Sequence, residues 1–215
     1  MVDNRMRNLN LLIKRLIDFF GSLFGVIILL PLLLIIALSI KLTSQGPVFF
    51  KQDRLGKDGK IFKILKFRTM VVNAENIGDG LFVKTEQDNR ITKVGRILRA
   101  ISLDELPQLI NVIIGDMSLV GPRPPVPNHP YKYNKYTDFQ KKRFEMKPGM
   151  TGLAQVTVRN SVPWDQRIDI DVDYVENFNV WLDIKILLKT IKKVFIRENI
   201  YINTGKHQKI KGQKR

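Results

Sequence analysis

Phe19 to Ile40 reads FFGSLFGVIILLPLLLIIALSI, a run without a charge and long enough to cross a bilayer as a helix, for which about 20 residues suffice. This run decides the fold, because it makes the chain a membrane protein before any other motif is considered. A cleavable signal peptide does not fit: the run is too long and no small-residue cleavage site follows it. Pro31 lies near its middle, where a proline removes one backbone hydrogen bond and clashes with the carbonyl four residues back, so a kink is expected there. Arg5, Arg7, Lys14 and Arg15 precede the run, and Lys41, Lys51, Arg54, Lys57, Lys60 and Lys63 follow it. Cationic flanks stay on the cytoplasmic side, and here both flanks ask for that side. A re-entrant hairpin satisfies both and a span satisfies one, so residues 1–43 are expected to form a re-entrant anchor that breaks at Pro31. The carbonyls freed at the break need partners, for which Ser22, Ser39 and water are the candidates.

The remainder is sized for one domain. Among 215 residues, 36 Lys and Arg stand against 20 Asp and Glu, a net charge of +16. Such a balance points to polyanions, an anionic membrane surface or phosphorylated substrates, without choosing among them. The absence of cysteine excludes disulfides, thiolate metal sites and cysteine nucleophiles. His129 and His207, the only two histidines, make no zinc cluster.

Outward from the anchor, Ser44-Gln45-Gly46-Pro47 is a turn. Val48 to Met70 then reads as a hairpin around Lys57-Asp58-Gly59. Residues 73–90 are a polar surface loop. Ile91 to Ala100 reads as a short basic helix and Leu103 to Ile114 as another. GPRPPVPNHP, Gly121 to Pro130, holds too many prolines for anything but a rigid extended loop. Tyr131 to Met146 reads as helix, Lys147 to Gly152 as a turn, and LAQVTVRN (153–160) as an alternating strand. Ile184, Leu187, Leu188, Ile191, Val194 and Phe195 share one helical face opposite Lys185, Lys189, Lys192 and Lys193, the pattern of an interfacial amphipathic helix. Residues 203–215 form a basic flexible tail. The expected class is α/β, mostly helical with a small irregular sheet: a membrane anchor, a compact catalytic domain over 44–202 and the tail.

Ser102-Leu103-Asp104-Glu105 is read most simply as a helix start, with Ser102 as N-cap and Glu105 completing a capping box. Adjacent carboxylates on a regular helix point about 100° apart, poor geometry for a shared task. Pro107 changes this by biasing Leu106 away from helical geometry. On such a bend, near a positive helix end, the pair can supply a carboxylate nucleophile and a metal ligand or base. Lys66, Arg68, Arg99 and Arg123 are candidate phosphate clamps, although in a chain this basic most such residues are solvated charges. Arg123 stands apart because Pro122 and Pro124 fix its backbone. No stretch matches a Walker or Rossmann fingerprint. Trp164, with Arg159 and Asn160 close by, can stack on a base or serve as a core or interfacial residue.

Four motifs in order, KFRTM (Lys66–Met70), SLDELPQLINVIIGDMSLVGPRP (Ser102–Pro124), KPGMTGLAQV (Lys147–Val156) and RNSVPW (Arg159–Trp164), resemble the monotopic phosphoglycosyl transferases, the catalytic unit of the bacterial sugar transferase family. The resemblance runs from about Leu11 to Phe195. It implies a re-entrant helix, an Asp-Glu dyad, magnesium and a covalent phosphosugar intermediate. Carried over, Asp104 is the nucleophile and Glu105 its partner as base or ligand, the two also holding the metal. Lys66, Arg99 and Arg123 match basic positions around the phosphates, and Arg159 and Trp164 fall in the nucleotide region. The implied partners are a UDP-sugar, polyprenyl (undecaprenyl) phosphate, the bacterial membrane and downstream glycosyltransferases, with no nucleic acid, and the implied place is the cytoplasmic face of the bacterial membrane. The chain is expected to act without the extra domains of larger relatives. One departure is visible: family members carry Ser-Pro at the membrane break, and here the pair is Leu30-Pro31. Two rival classes remain at this point, a membrane-tethered basic nucleic-acid-binding protein and a non-enzymatic single-span subunit, and neither accounts for the dyad or the motif order.

Overall fold

The computed structural model describes residues 4–77, 88–158 and 161–196. Gly78-Asp79-Gly80, Arg159 with Asn160, and the basic tail lie outside the described residues. Helix α1 (Asn4–Thr43) contains the whole apolar run, about 60 Å at 1.5 Å per residue. It is long and apolar enough to cross a membrane by length and composition. Leu12, Phe20, Phe24, Ile27, Leu34 and Leu38 are all exposed along it, so a continuous apolar face is left for lipid. The helix runs on through Pro31, where the sequence led to the expectation of a break. Neither serine caps the carbonyl of Ile27, four residues before that proline: the Ser39 hydroxyl donates to Ile35 O at 2.8 Å, and the buried Ser22 hydroxyl has no partner.

The opposite stripe of α1 docks on the domain along most of its length. Near the N-terminus three polar side chains do the docking. Lys14 donates to Val120 O at 2.8 Å and to Asp183 at 2.6 Å. Arg15 donates to Val112 O and Ile113 O at 2.7 and 2.9 Å, capping a helix end where cations are favoured. Asp18 accepts from Ser118 Oγ at 2.7 Å and Leu119 N at 2.9 Å. Lys14 and Arg15 therefore join helix to domain rather than simply decorating its flank. Gly21 and Gly25 bring the helix close to Leu119 and Leu109, where an added Cβ would stand at 3.3 and 3.5 Å. Past Pro31, Ile36 and Ile40 are buried with Phe67 and Leu98.

Strands β1 (Phe49–Leu55) and β2 (Ile61–Phe67) form the expected antiparallel hairpin, with Phe50 opposite Lys66. Its turn holds Asp58 at φ 56° and Gly59 at φ 74°, left-handed positions that Asp and Gly tolerate well. Helix α2 (Lys93–Ala100) starts on Thr92, whose hydroxyl accepts from Gly95 N at 2.9 Å. Helix α3 (Gln108–Ile114) follows. Asn111 on α3 fixes it to the hairpin, accepting from Leu65 N and donating to Lys63 O, both at 2.9 Å. A second small sheet pairs β3 (Ser118–Val120) in parallel with β4 (Gly149–Thr151). After helix α4 (Asp138–Lys141) and β4 come α5 (Leu153–Thr157), α6 (Trp164–Glu176) and α7 (Val180–Ile196). The core lies between them, where Val120, Met146, Val156, Tyr174 and Ile186 are buried together.

Three expectations are corrected. Leu153 to Thr157 is helix, not strand: Ala154 and Val156 are buried by packing on α6 and α7, and tertiary contact overrides local alternation. Tyr131 to Met146 is not one helix, because a capping box at Thr137 starts a new one and Tyr136 turns inward against Phe144. Leu103 to Ile114 is likewise divided: a single 3-10 turn over Leu103–Glu105 precedes α3.

Candidate active site

That division shapes the Asp-Glu pair. Ser102 sits at φ 57°, ψ 22° and makes no side-chain cap, so the expected capping box is absent. Leu106 is right-handed helical, which corrects the expectation that Pro107 expels it from helical geometry. The bend comes instead from Ser102, a non-glycine residue in the left-handed region, where strain collects at functional sites. The tight turn after it carries Asp104 and Glu105 into a cleft of about 690 Å³.

Lys66, Arg68, Arg99, Arg123 and Trp164 line the same cleft, so it gathers every catalytic, phosphate-binding and nucleotide candidate among the described residues. Lys66 donates to Glu105 at 2.6 Å, and the Arg123 guanidinium stands 4.0 Å from the same oxygen. Arg68 differs from the others. It is 5% exposed and donates to Gln45 O at 2.5 Å and to Ser44 O at 2.9 Å, so its guanidinium anchors the turn after α1. Trp164 opens α6, with the Arg167 guanidinium 5.0 Å from its ring and His129 packed edge-on at 5.4 Å.

The two carboxylates differ electrostatically. Burial pushes Asp104 up, against the pull of Lys66 and with the repulsion of Glu105 added, to about 6. Burial also acts upward on Glu105, but Lys66, Arg123 and Arg54 outweigh it and hold the group down at about 2. Opposite displacement of neighbouring acids is a mark of divided roles. Near neutral pH Glu105 is a fixed anion committed to cations, while Asp104 is a more basic carboxylate, hence the better nucleophile of the two.

Sequence reasoning missed Arg54, Arg143, Arg167 and Asp171. Arg54 lines the cleft; burial, then Arg123, lowers it to about 10. The signal was present in the period-two alternation of β1, which puts Phe50, Gln52 and Arg54 on one face. Arg167 was legible as the residue one helical turn after Trp164. Arg143, in the lysine-rich stretch KKRFEMK, carries no local signal, yet it is 1% exposed. It pairs with buried Asp171 at 2.5 Å. Removing one partner of such a pair costs about 3–5 kcal/mol.

Among the described residues no group of three His, Asp or Glu side chains could hold a metal ion. Asp104 and Glu105 lie side by side in the cleft, and one or two carboxylates are the kind of set that magnesium takes, its shell completed by water and substrate phosphates. Lys66, Arg99, Arg123 and Arg54 line the cleft with the pair, a cationic setting that favours an anionic ligand.

The model of the bacterial sugar transferase family matches residues 9–197. The chain is 41% identical over 206 residues to a UDP-glucose:undecaprenyl-phosphate glucose-1-phosphate transferase of Klebsiella pneumoniae, covering 94% of this chain and 44% of that protein. It is 41% identical over 213 residues to an undecaprenyl-phosphate galactose phosphotransferase of Salmonella typhimurium, covering 93% and 44%. An uncharacterized sugar transferase of Bacillus subtilis is 42% identical over 190 residues, covering 88% and 91%. The chain thus spans less than half of the first two relatives and most of the third.

Proposed function

The chain belongs to the bacterial sugar transferase family, and from that membership we propose that it transfers a sugar 1-phosphate from a UDP-sugar to polyprenyl phosphate through a covalent phosphosugar on Asp104. The observation that carries the reading is geometric: the turn after Ser102 brings Asp104 and Glu105 into one cleft with Arg99, Arg54, Lys66 at 2.6 Å from Glu105 and Arg123 at 4.0 Å from it, and these cations hold Glu105 down while burial pushes Asp104 up. In the first step a carboxylate oxygen of Asp104 attacks the sugar-bearing phosphorus, and the bond from that phosphorus to the bridging oxygen breaks. UMP leaves with the bridging oxygen and its electron pair. In the second step a phosphate oxygen of the polyprenyl phosphate attacks the same phosphorus and frees the Asp104 carboxylate. The product is a polyprenyl diphosphate sugar.

Arg123 and Arg99 hold the diphosphate oxygens by charge-assisted hydrogen bonds. Lys66 keeps Glu105 ionised and fixed. Glu105 serves as ligand, or as base toward the lipid phosphate. Trp164 and Arg167 face the nucleotide. Asp104 and Glu105 would hold magnesium, which neutralises charge on the transferred phosphoryl group when bound.

The docking of α1 supports an anchor that enters and leaves the same leaflet. A helix crossing a hydrocarbon core of about 30 Å would put Lys14 and Ile40 on opposite sides of it, yet both are buried against the one domain. The catalytic domain then lies on the cytoplasmic face, where the cationic flanks belong. In this reading the reaction is the first membrane step of a glycan assembly, ahead of glycosyltransferases that extend the lipid-linked sugar. The test is to offer the purified protein, with magnesium and undecaprenyl phosphate, a panel of UDP-sugars headed by UDP-glucose and UDP-galactose. UMP release from at least one is expected; release from none, or equal release by Asp104→Asn, would sink the reading.

A further inference from the structure

We propose that Arg54 and Arg143 are positioning residues that aim the Arg123 guanidinium at the sugar-bearing phosphate, a role that rests on the function proposed above. Gly121 to Pro125 reads GPRPP. Its three prolines have no N–H, so the segment is attached mainly through carbonyls. Four successive carbonyls are taken by donors from three parts of the fold: β1, β4 and the 3-10 turn at Lys142–Phe144. Pro122 O accepts from Gly149 N at 3.0 Å and Pro125 O from Leu55 N at 2.9 Å. Between them, Arg123 O accepts from Arg143 Nη2 at 2.8 Å, and Pro124 O accepts from Arg54 Nη1 at 3.0 Å.

The two side-chain donors are themselves fixed. Arg143 is held by Asp171 at 2.5 Å, and Arg54 Nη2 by Gln52 Oε1 at 2.6 Å, with Gln52 bonded onward to Glu75 at 2.9 Å. The Arg123 side chain leaves the segment between gripped carbonyls and stands 4.0 Å from Glu105. Arg143 is 1% exposed and is not among the residues lining the cleft, so it reaches substrate only through what it holds. Arg54 lines the cleft, and its grip on the loop must therefore be separated from its own charge.

A double-mutant cycle makes that separation, using the full chain in nanodiscs and whichever UDP-sugar yields UMP. A misplacement of about 1 Å costs on the order of 100-fold, and a loss of kcat/KM of that size is expected for Arg54→Met alone. Made on top of Arg123→Ala, the same change should cost far less, leaving only the loss that comes from the charge Arg54 places near Glu105. Full, multiplicative losses would overturn the proposal, because Arg54 would then act independently of Arg123. Only Nη2 of Arg143 makes hydrogen bonds, while its Nε and Nη1 have none. Arg143→Lys should therefore retain most activity, and Arg123→Lys, which loses the planar fork, should not. A dead but folded Arg143→Lys would count against the clamp. A further readout is independent of turnover: hydrogen exchange across residues 119–129 should quicken in Arg54→Met while peptides of α6 stay unchanged. Unaltered exchange there would overturn the clamp even if the wild type released no UMP, an outcome that would remove the proposed reaction instead.

Discussion

Lys66 donates its ammonium to Glu105 at 2.6 Å, and this one contact does much to set two chemically similar neighbours apart. It binds Glu105 as an anion and stands close enough to Asp104 to moderate, without cancelling, the upward push of burial. Lys66→Met removes both effects. Both carboxyl groups should then titrate higher, and the half-buried Glu105 is left without its closest cation. Losing one preorganised electrostatic partner in an active site costs about 100- to 1000-fold in kcat, and a loss in that range is expected, with Lys66→Arg retaining part of the rate. Turnover within a few-fold of wild type in Lys66→Met would show that the contact is incidental.

Asp104 also makes a prediction about stability, with a definite sign. Its folded value of about 6 lies above the ordinary 3.8, so ionising it costs the fold more than it costs the unfolded chain. That cost is fully present above about pH 6, shrinks through the window between the two values, and vanishes below the lower one. Asp104→Asn should therefore raise the melting temperature of the magnesium-free protein near neutral pH, and the gain should disappear by about pH 4. Catalytic groups held against stability commonly behave this way. A variant no more stable than wild type at neutral pH would mean that Asp104 is not desolvated as the cleft implies.

The membrane topology is open to direct labelling because the chain has no cysteine of its own. Asp3→Cys and Lys57→Cys place single thiols before and after the apolar run. Both should resist a membrane-impermeant maleimide in intact cells and react once the cells are opened. Reaction of Asp3→Cys from outside would establish a spanning helix. Pro31→Ala tests the proposed re-entrant anchor: restoring the hydrogen bond that proline lacks should push a fraction of molecules toward a spanning form.

The sequence and the fold agree where local chemistry decides and part where tertiary contact does. The hairpin was legible because Lys57-Asp58-Gly59 specifies its turn, and the irregular loop from Gly121 because proline permits little else, although Val126 and His129 close a turn where an extended chain was expected. Period-three spacing also disclosed α7. Leu153 to Thr157 was not legible, since its alternating pattern suits a strand and only burial against α6 and α7 makes it helical. Asp104 and Glu105 do lie on a bend that opens into the cleft, but the bend has another origin. Pro107 drew attention to the bend, whereas the turn is made at Ser102, whose left-handed backbone no propensity anticipates. Arg68 was selected by its motif as a phosphate clamp, yet in the structure its guanidinium is spent on Ser44 and Gln45. A buried arginine committed to carbonyls and one facing a ligand look alike in sequence. Arg143 shows the converse, a buried residue in a lysine-rich stretch that reads as surface.

The covalent route through Asp104 can be separated from direct attack by the lipid phosphate. Wild-type protein given magnesium and a labelled UDP-sugar without lipid acceptor should release UMP and retain label on the protein, up to about one equivalent per chain, since nucleophilic catalysis stores the transferred group before the acceptor arrives. Asp104→Asn removes the anionic nucleophile with almost no change of shape, so the burst and the bound label should both vanish while the protein melts cooperatively. Glu105→Gln leaves the nucleophile in place but releases Lys66 and removes a like charge from beside Asp104. Asp104 should titrate lower and react more slowly, and the slow appearance of label without turnover would put Glu105 in the second half-reaction, as the base for the lipid phosphate. With both substrates varied, initial rates should give parallel double-reciprocal lines, because UMP departs before the lipid reacts. Intersecting lines, together with full activity in Asp104→Asn, would return the pair to a purely electrostatic role and leave the phosphoryl group to pass directly from nucleotide to lipid.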